Sequence, residues 1–178
     1  MSSWIETYSG QRFDFTKPES NEYKIVDVAH ALSLLCRFGG HVNEHYSVAE
    51  HSVHMSMAVD TLPEQVACLL HDGSEAYLGD VVKPLKDMLP EYRRIEAQVQ
   101  AQVYEKLGLG VPDIETLMVM HATDAGALIT EAQHLLITKG ESWVGNIDAA
   151  PLPFVPKCWG ARRAEEEFIQ RYLDLEEG

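Results

Sequence analysis

Apolar positions recur at helical spacing through most of this chain of 178 residues. Ile25, Val28, Ala29, Leu32, Leu35 and Cys36 fall three or four apart, which predicts a helix over 25–37 closed by Gly39-Gly40. Ser47 and Glu50 have the spacing of a capping box and open a second helix that runs to about Val59. A third starts at Pro63, a residue favoured in the first turn, and continues through Tyr77. Gly79 and Pro84 mark a loop, Tyr92 to Leu107 reads as an amphipathic helix, and Leu109-Gly110-Val111-Pro112 breaks it. A further helix spans about Asp113 to Leu136, and a loop carrying Pro151, Pro153 and Pro156 leads to a last helix over 161–175. Residues 4–15 read as a small hairpin turning at Ser9-Gly10. With no other strand pattern, the expected class is all-α: one domain over 1–178, comprising the hairpin, a helical core over 25–135 and the C-terminal helix.

Polar residues inside the apolar helices change the picture. Val66, Ala67, Leu69, Leu70, Ala76, Tyr77 and Leu78 cover most of the circumference of the third helix, so it should be buried, yet its middle holds His71, Asp72 and Glu75. A carboxylate in an apolar interior is costly unless paired or bound to a cation, and this helix contains no Arg or Lys. Asp124 repeats the anomaly between Met118-Val119-Met120 and Ala125-Gly126-Ala127-Leu128. Two acids in two apolar helices point to one shared cation. Imidazole nitrogens and carboxylate oxygens suit a borderline divalent metal, with His51, His71, Asp72 and Asp124 as ligands. Mn, Co, Zn, Fe and Mg all remain open. Such an ion acidifies a bound water and polarises a phosphoryl oxygen. Glu75, one turn past His71, is in reach to act as general base or to orient the nucleophile.

Composition narrows the partners. A formal net charge of −14 disfavours DNA, RNA and anionic membranes, which are held through many Lys/Arg–phosphate contacts. A small anionic substrate remains compatible. Cys36, Cys68 and Cys158 are odd in number and form no Cys-x-x-Cys pair, which reads as free thiols in a reducing compartment. Without a basic-then-apolar leader, and with apolar runs such as 66–70 too short to span a bilayer, a cytoplasmic location is expected.

The order His51, then His71-Asp72, then Asp124 resembles the HD-domain metal phosphohydrolases. The segments 29–33, Arg37-Phe38, 46–51, 70–76, Gly79-Asp80 and Pro84-Leu85-Lys86 are similar to the nucleotide-directed branch, which includes bacterial 5′-deoxynucleotidases and phage dATP phosphohydrolases. The resemblance covers roughly residues 4–135. It implies a single HD-domain helical bundle that removes 5′-phosphates from deoxynucleotides, either dATP or another triphosphate stepwise, or a monophosphate. It further implies that Arg37 grips a phosphate and that Phe38 lies beside the substrate, with Glu75 and Asp80 near the reacting phosphate. Lys83 and Lys86 become candidates for the outer phosphates, His30 for a substrate-facing position, and the assembly for a homo-oligomer.

Each assignment has a plainer counterpart: Arg37 as a helix C-terminal cation, Asp80 as the N-cap of a short helix, the lysines as solvated side chains. His41 and His45 belong to a loop, His54 to the outer surroundings of His51, and His121 is one turn from Asp124, in position to support it. Two other functions compete. An HD-type di-iron oxygenase needs extra histidines between Asp72 and Asp124, where only His121 occurs. A ferritin-like pair needs two Glu-x-x-His motifs, where only Glu131/His134 is present. A non-catalytic binding module with a structural metal would leave Glu75 and Arg37 without work.

Overall fold

A computed structural model describes residues 3–178. Helices dominate, with one antiparallel hairpin at the N-terminus. Strands β1 (Trp4–Glu6) and β2 (Arg12–Asp14) pair with Ile5 opposite Phe13. Gly10 supplies the left-handed turn at φ 78°. The hairpin is tied down by Asp27 of α1 (Ile25–Leu34), whose carboxylate accepts from Thr7 Oγ1, Ser9 N and Ser9 Oγ. Phe13 stacks on Tyr77 at 4.0 Å between ring centroids, so the hairpin braces the segment that carries the site.

The α1 helix ends earlier than its apolar pattern indicates. Cys36 leaves it to bridge Ser47, and Arg37–Gly40 form a 3-10 turn in which Phe38, Gly39 and Gly40 all have positive φ. α2 (Val48–Met57) starts at Ser47, whose hydroxyl accepts from Glu50 N. The expected box is only half made, because the fully buried Glu50 carboxylate accepts instead from the N–H groups of Lys157, Cys158 and Trp159. Glu50 thereby fastens the proline-bearing loop to α2. A complete capping box, Thr61 with Glu64, opens α3 (Leu62–Leu70).

The expected continuous helix from Pro63 to Tyr77 is not found. α3 stops at Leu70, residues 71–74 form tight turns, and α4 (Glu75–Leu78) follows. Past α5 (Lys83–Lys86), α6 (Pro90–Leu107) and α7 (Ile114–Leu135) match the expected helices to within a few residues, as does α8 (Ala161–Glu177). The apolar stripe of α8, including Ala164 and Phe168, is spent inside the molecule, where α8 packs on α1 and α2. The main core joins the hairpin, α1–α4, α6 and α8, while a smaller cluster of Met55, Cys68, Met120 and Ala127 seals α2 and α3 against α7. Among the described residues, no helix is long and apolar enough to cross a membrane.

Candidate metal centre

Three helices deliver the polar groups to one point. His51 comes from the middle of α2 and is fully buried; His71 and Asp72 come from the turn after α3; Asp124 comes from α7. His51 Nε2 lies 3.2 Å from His71 Nε2 and 3.4 Å from Asp124 Oδ1, and His71 Nε2 lies 3.1 Å from Asp72 Oδ2. His51, His71 and Asp72 form a group whose ligand atoms all fall within 4.8 Å of one another. Asp124 stands just outside it, its carboxylate against His51 on one side and 3.9 Å from Arg37 Nη2 on the other.

The hydrogen bonds at the far side of each ring identify what this point needs. His71 Nδ1 faces the Cys68 carbonyl at 2.8 Å, and a carbonyl only accepts, so Nδ1 carries the proton. His51 Nδ1 lies 2.6 Å from Glu131 Oε1. Burial raises the Glu131 carboxyl, but Arg37 and His51 outweigh it and hold the group below its ordinary value, ionised and accepting. Both neutral rings then aim an Nε2 lone pair at the same point beside an anionic Asp72. Two lone pairs 3.2 Å apart repel unless a proton or a metal cation lies between them. Donors about 2.1 Å from one ion and 90–109° apart are separated by about 3.0–3.4 Å, the spacing seen here. The donor set therefore fits a divalent ion, and His51, His71 and Asp72 can hold one.

With no cation bound, the surroundings favour a proton on the His51 ring. Burial and Arg37 pull the His51 imidazole down, yet Glu131 and Asp124 push it up to about 9. Burial likewise raises Asp124, but its hydrogen bond and attraction to His51 bring it to about 2. Asp72 is held well below the usual carboxylate range, because His71, His51 and Arg37 together overcome burial.

Glu131 is the hub that residue spacing alone did not single out. Fully buried on α7, it accepts from His51 Nδ1, from Tyr46 Oη at 3.0 Å and from Arg37 Nε at 2.9 Å. In the sequence it figured only as half of a di-iron motif. The available signal was its placement seven residues, two helical turns, beyond Asp124, which puts both acids on the face that meets His51. Such a carboxylate–histidine pair fixes the ring's tautomer and orientation.

Other expected residues divide into those beside the centre and those away from it. Arg37 Nη1 lies 3.4 Å from Asp72 Oδ2, so this guanidinium faces the carboxylates of Asp72 and Asp124. Phe38 lies under it, 5.9 Å from ring centroid to guanidinium carbon. Glu75 is almost wholly buried at the start of α4. Its Oε1 meets Lys86 Nζ at 3.4 Å, and its Oε2 has no partner. Burial, then Asp72 and Asp80, push its carboxyl well above the ordinary value despite Lys86 and Arg37. Asp80 is raised chiefly by burial; it does not cap the short helix, since α5 has Val82 at its N-cap.

Lys86 is tied to Glu75 and, at 2.5 Å, to Glu96, whereas Lys83 is exposed. His30 stacks on Tyr8 at 3.6 Å with Nδ1 3.1 Å from Glu165 of α8. His121 is exposed and makes no hydrogen bond to Asp124 among the described residues. His54 stacks on Phe154, and His45 contacts the Ser33 carbonyl.

No family model matches the chain. It is 37% identical over 180 residues to the uncharacterized protein YfdR of Escherichia coli (strain K12), covering 98% of this chain and 97% of that one. It is also 33% identical over 116 residues to an uncharacterized protein of Rhodobacter capsulatus, covering 60% of this chain and 59% of the relative. A likeness of that extent, from end to end of both chains, makes this protein a member of the YfdR family.

Proposed function

We propose that this protein is a divalent-metal-dependent phosphohydrolase of the HD type, acting on the 5′-phosphates of small deoxynucleotides. The observation that carries the reading is the convergence of the His51 and His71 Nε2 atoms on Asp72, with Asp124 alongside as fourth ligand and each ring's Nδ1 already committed elsewhere. A metal bound there supplies an acidified water and a Lewis acid for a phosphoryl oxygen.

The chain's own groups have distinct tasks. Glu131 anchors Arg37 through Nε, leaving Nη1 and Nη2 on the centre's side, where a guanidinium binds phosphoryl oxygens in a two-point fork. Glu75, buried, with Oε2 unpartnered and its carboxyl pushed well above the ordinary value, is suited to give a proton to a leaving oxygen; this favours general acid over the general base inferred from spacing. Lys86 restrains Glu75 rather than reaching for an outer phosphate, a role left to the exposed Lys83. Among the described residues one compact His/Asp group is found, which supports a mononuclear centre over a di-iron oxygenase.

The test is phosphate release from a panel of deoxynucleoside mono- and triphosphates, with and without chelator. Release that chelator abolishes is expected. No release from any of them in the presence of Mn²⁺ or Co²⁺ removes the reading.

A further inference from the structure

We infer that Gln100 is a positioning residue for the metal centre, holding open the helix at the His71-Asp72 pair; this rests on the metal reading above. In an unbroken α-helix Ser74 N–H would donate to the Leu70 carbonyl. Here the Gln100 side chain from α6 stands between them. Its Nε2 donates to Leu70 O at 2.7 Å, and its Oε1 accepts from Ser74 N at 2.9 Å. The orientation of the amide follows from the partners, since a carbonyl only accepts and a backbone N–H only donates.

A side chain inserted into the i→i−4 ladder is a recognised cause of a helix break. The backbone beside it answers with tighter i→i−3 bonds: Gly73 to Leu70, Glu75 to Asp72, and Tyr77 to Ser74. Residues three apart eclipse one another in such turns, which sets Asp72 and Glu75 side by side. The turn thus aligns the ligand and the proposed acid, which an even α-helix would offset by about 60°.

Gly73 makes the insertion possible. A Cβ there would lie 2.6 Å from Val103 Cγ1, so only glycine lets α6 approach this closely, and Gln100 lies one turn before Val103 on the same face.

The experiment is Co²⁺ titration of the full-length chain, read by visible absorption, for the wild type, Gln100→Met and Gln100→Glu. Metal-free thermal unfolding is recorded alongside. Gln100→Met removes both hydrogen bonds at similar volume and is expected to weaken Co²⁺ binding about 10- to 100-fold, as loss of outer-shell support does, and to change the absorption bands. Gln100→Glu keeps the acceptor for Ser74 N–H but sets a carboxylate oxygen against the Leu70 carbonyl, so it is expected to weaken binding at least as much as Gln100→Met. Should Gln100→Met fail to fold, Gln100→Glu decides by the same two readouts. A folded variant with wild-type affinity and an unchanged spectrum overturns the role of Gln100. A wild type that binds no Co²⁺ overturns the metal reading instead.

Discussion

The two walls of the centre are built to opposite principles. On the α2–α7 wall every charge is answered: Glu131 takes hydrogen bonds from His51, Tyr46 and Arg37, and its carboxyl is driven below the ordinary value. On the wall made by the 71–80 segment, Glu75 leaves a buried oxygen bare, Asp80 is raised by burial, and Lys86 is shared between two acids. A saturated network fixes geometry at a cost in freedom. An unsatisfied, raised carboxyl is where protons move, and such groups concentrate at functional sites. One wall holds His51 and Asp124 in a saturated network; the other carries His71 and Asp72 beside the proposed proton donor, Glu75.

That contrast is broken most severely on the holding wall. Glu131→Ala strands Arg37 and removes the partner of His51 Nδ1, so it is expected to destabilise the fold by about 3–5 kcal/mol, read by urea unfolding of the metal-free chain. Glu75→Gln, on the other wall, should leave metal affinity and folding near wild type while turnover falls about 100- to 10,000-fold. Comparable loss of folding in both variants would erase the distinction.

The proton at His51 sharpens it further. The folded value of about 9 lies above the ordinary 6.5, so in the metal-free chain its stabilising contribution is complete below pH 6.5 and is lost as pH rises through about 9. Asp124 is depressed, so its contribution is present above its ordinary 3.8 and is lost as pH falls through about 2. Metal must displace the His51 proton; its apparent affinity should therefore drop about tenfold per pH unit below about 9, measurable by Co²⁺ titration at several pH values. A pH-independent affinity between 6 and 8 would contradict the protonated His51 of the metal-free state. The smallest effect is expected at His30, which pairs with Tyr8 and Glu165. His30→Ala should shift stability by no more than about 0.5 kcal/mol and leave KM unchanged in a steady-state assay.

How much of this was legible in the sequence follows from where each signal lies. Helix periodicity located α1–α3 and α6–α8, because each buries an amphipathic face that local spacing records. The charge anomaly at His71, Asp72 and Asp124 pointed to the centre, since buried carboxylates without local cations need an explanation from elsewhere. The helix break at Leu70 was illegible, as its cause, Gln100, lies 30 residues away and acts only once α6 is docked. Glu50 shows the same limit: its spacing from Ser47 matched a local cap, but three backbone N–H groups from the distant 157–159 loop outcompeted it. Glu131 was missed because a hub is defined by its partners, and those come from the 37–51 region.

The most direct trial is a crystal structure grown with Mn²⁺, with data collected for anomalous scattering. A single strong peak bonded at about 2.0–2.2 Å to His51 Nε2, His71 Nε2, Asp72 and Asp124 is the expected result. An ion bound elsewhere, or none, with Arg37 still lying against Asp72, would show that the cluster is a protein ion-pair network and not a metal centre.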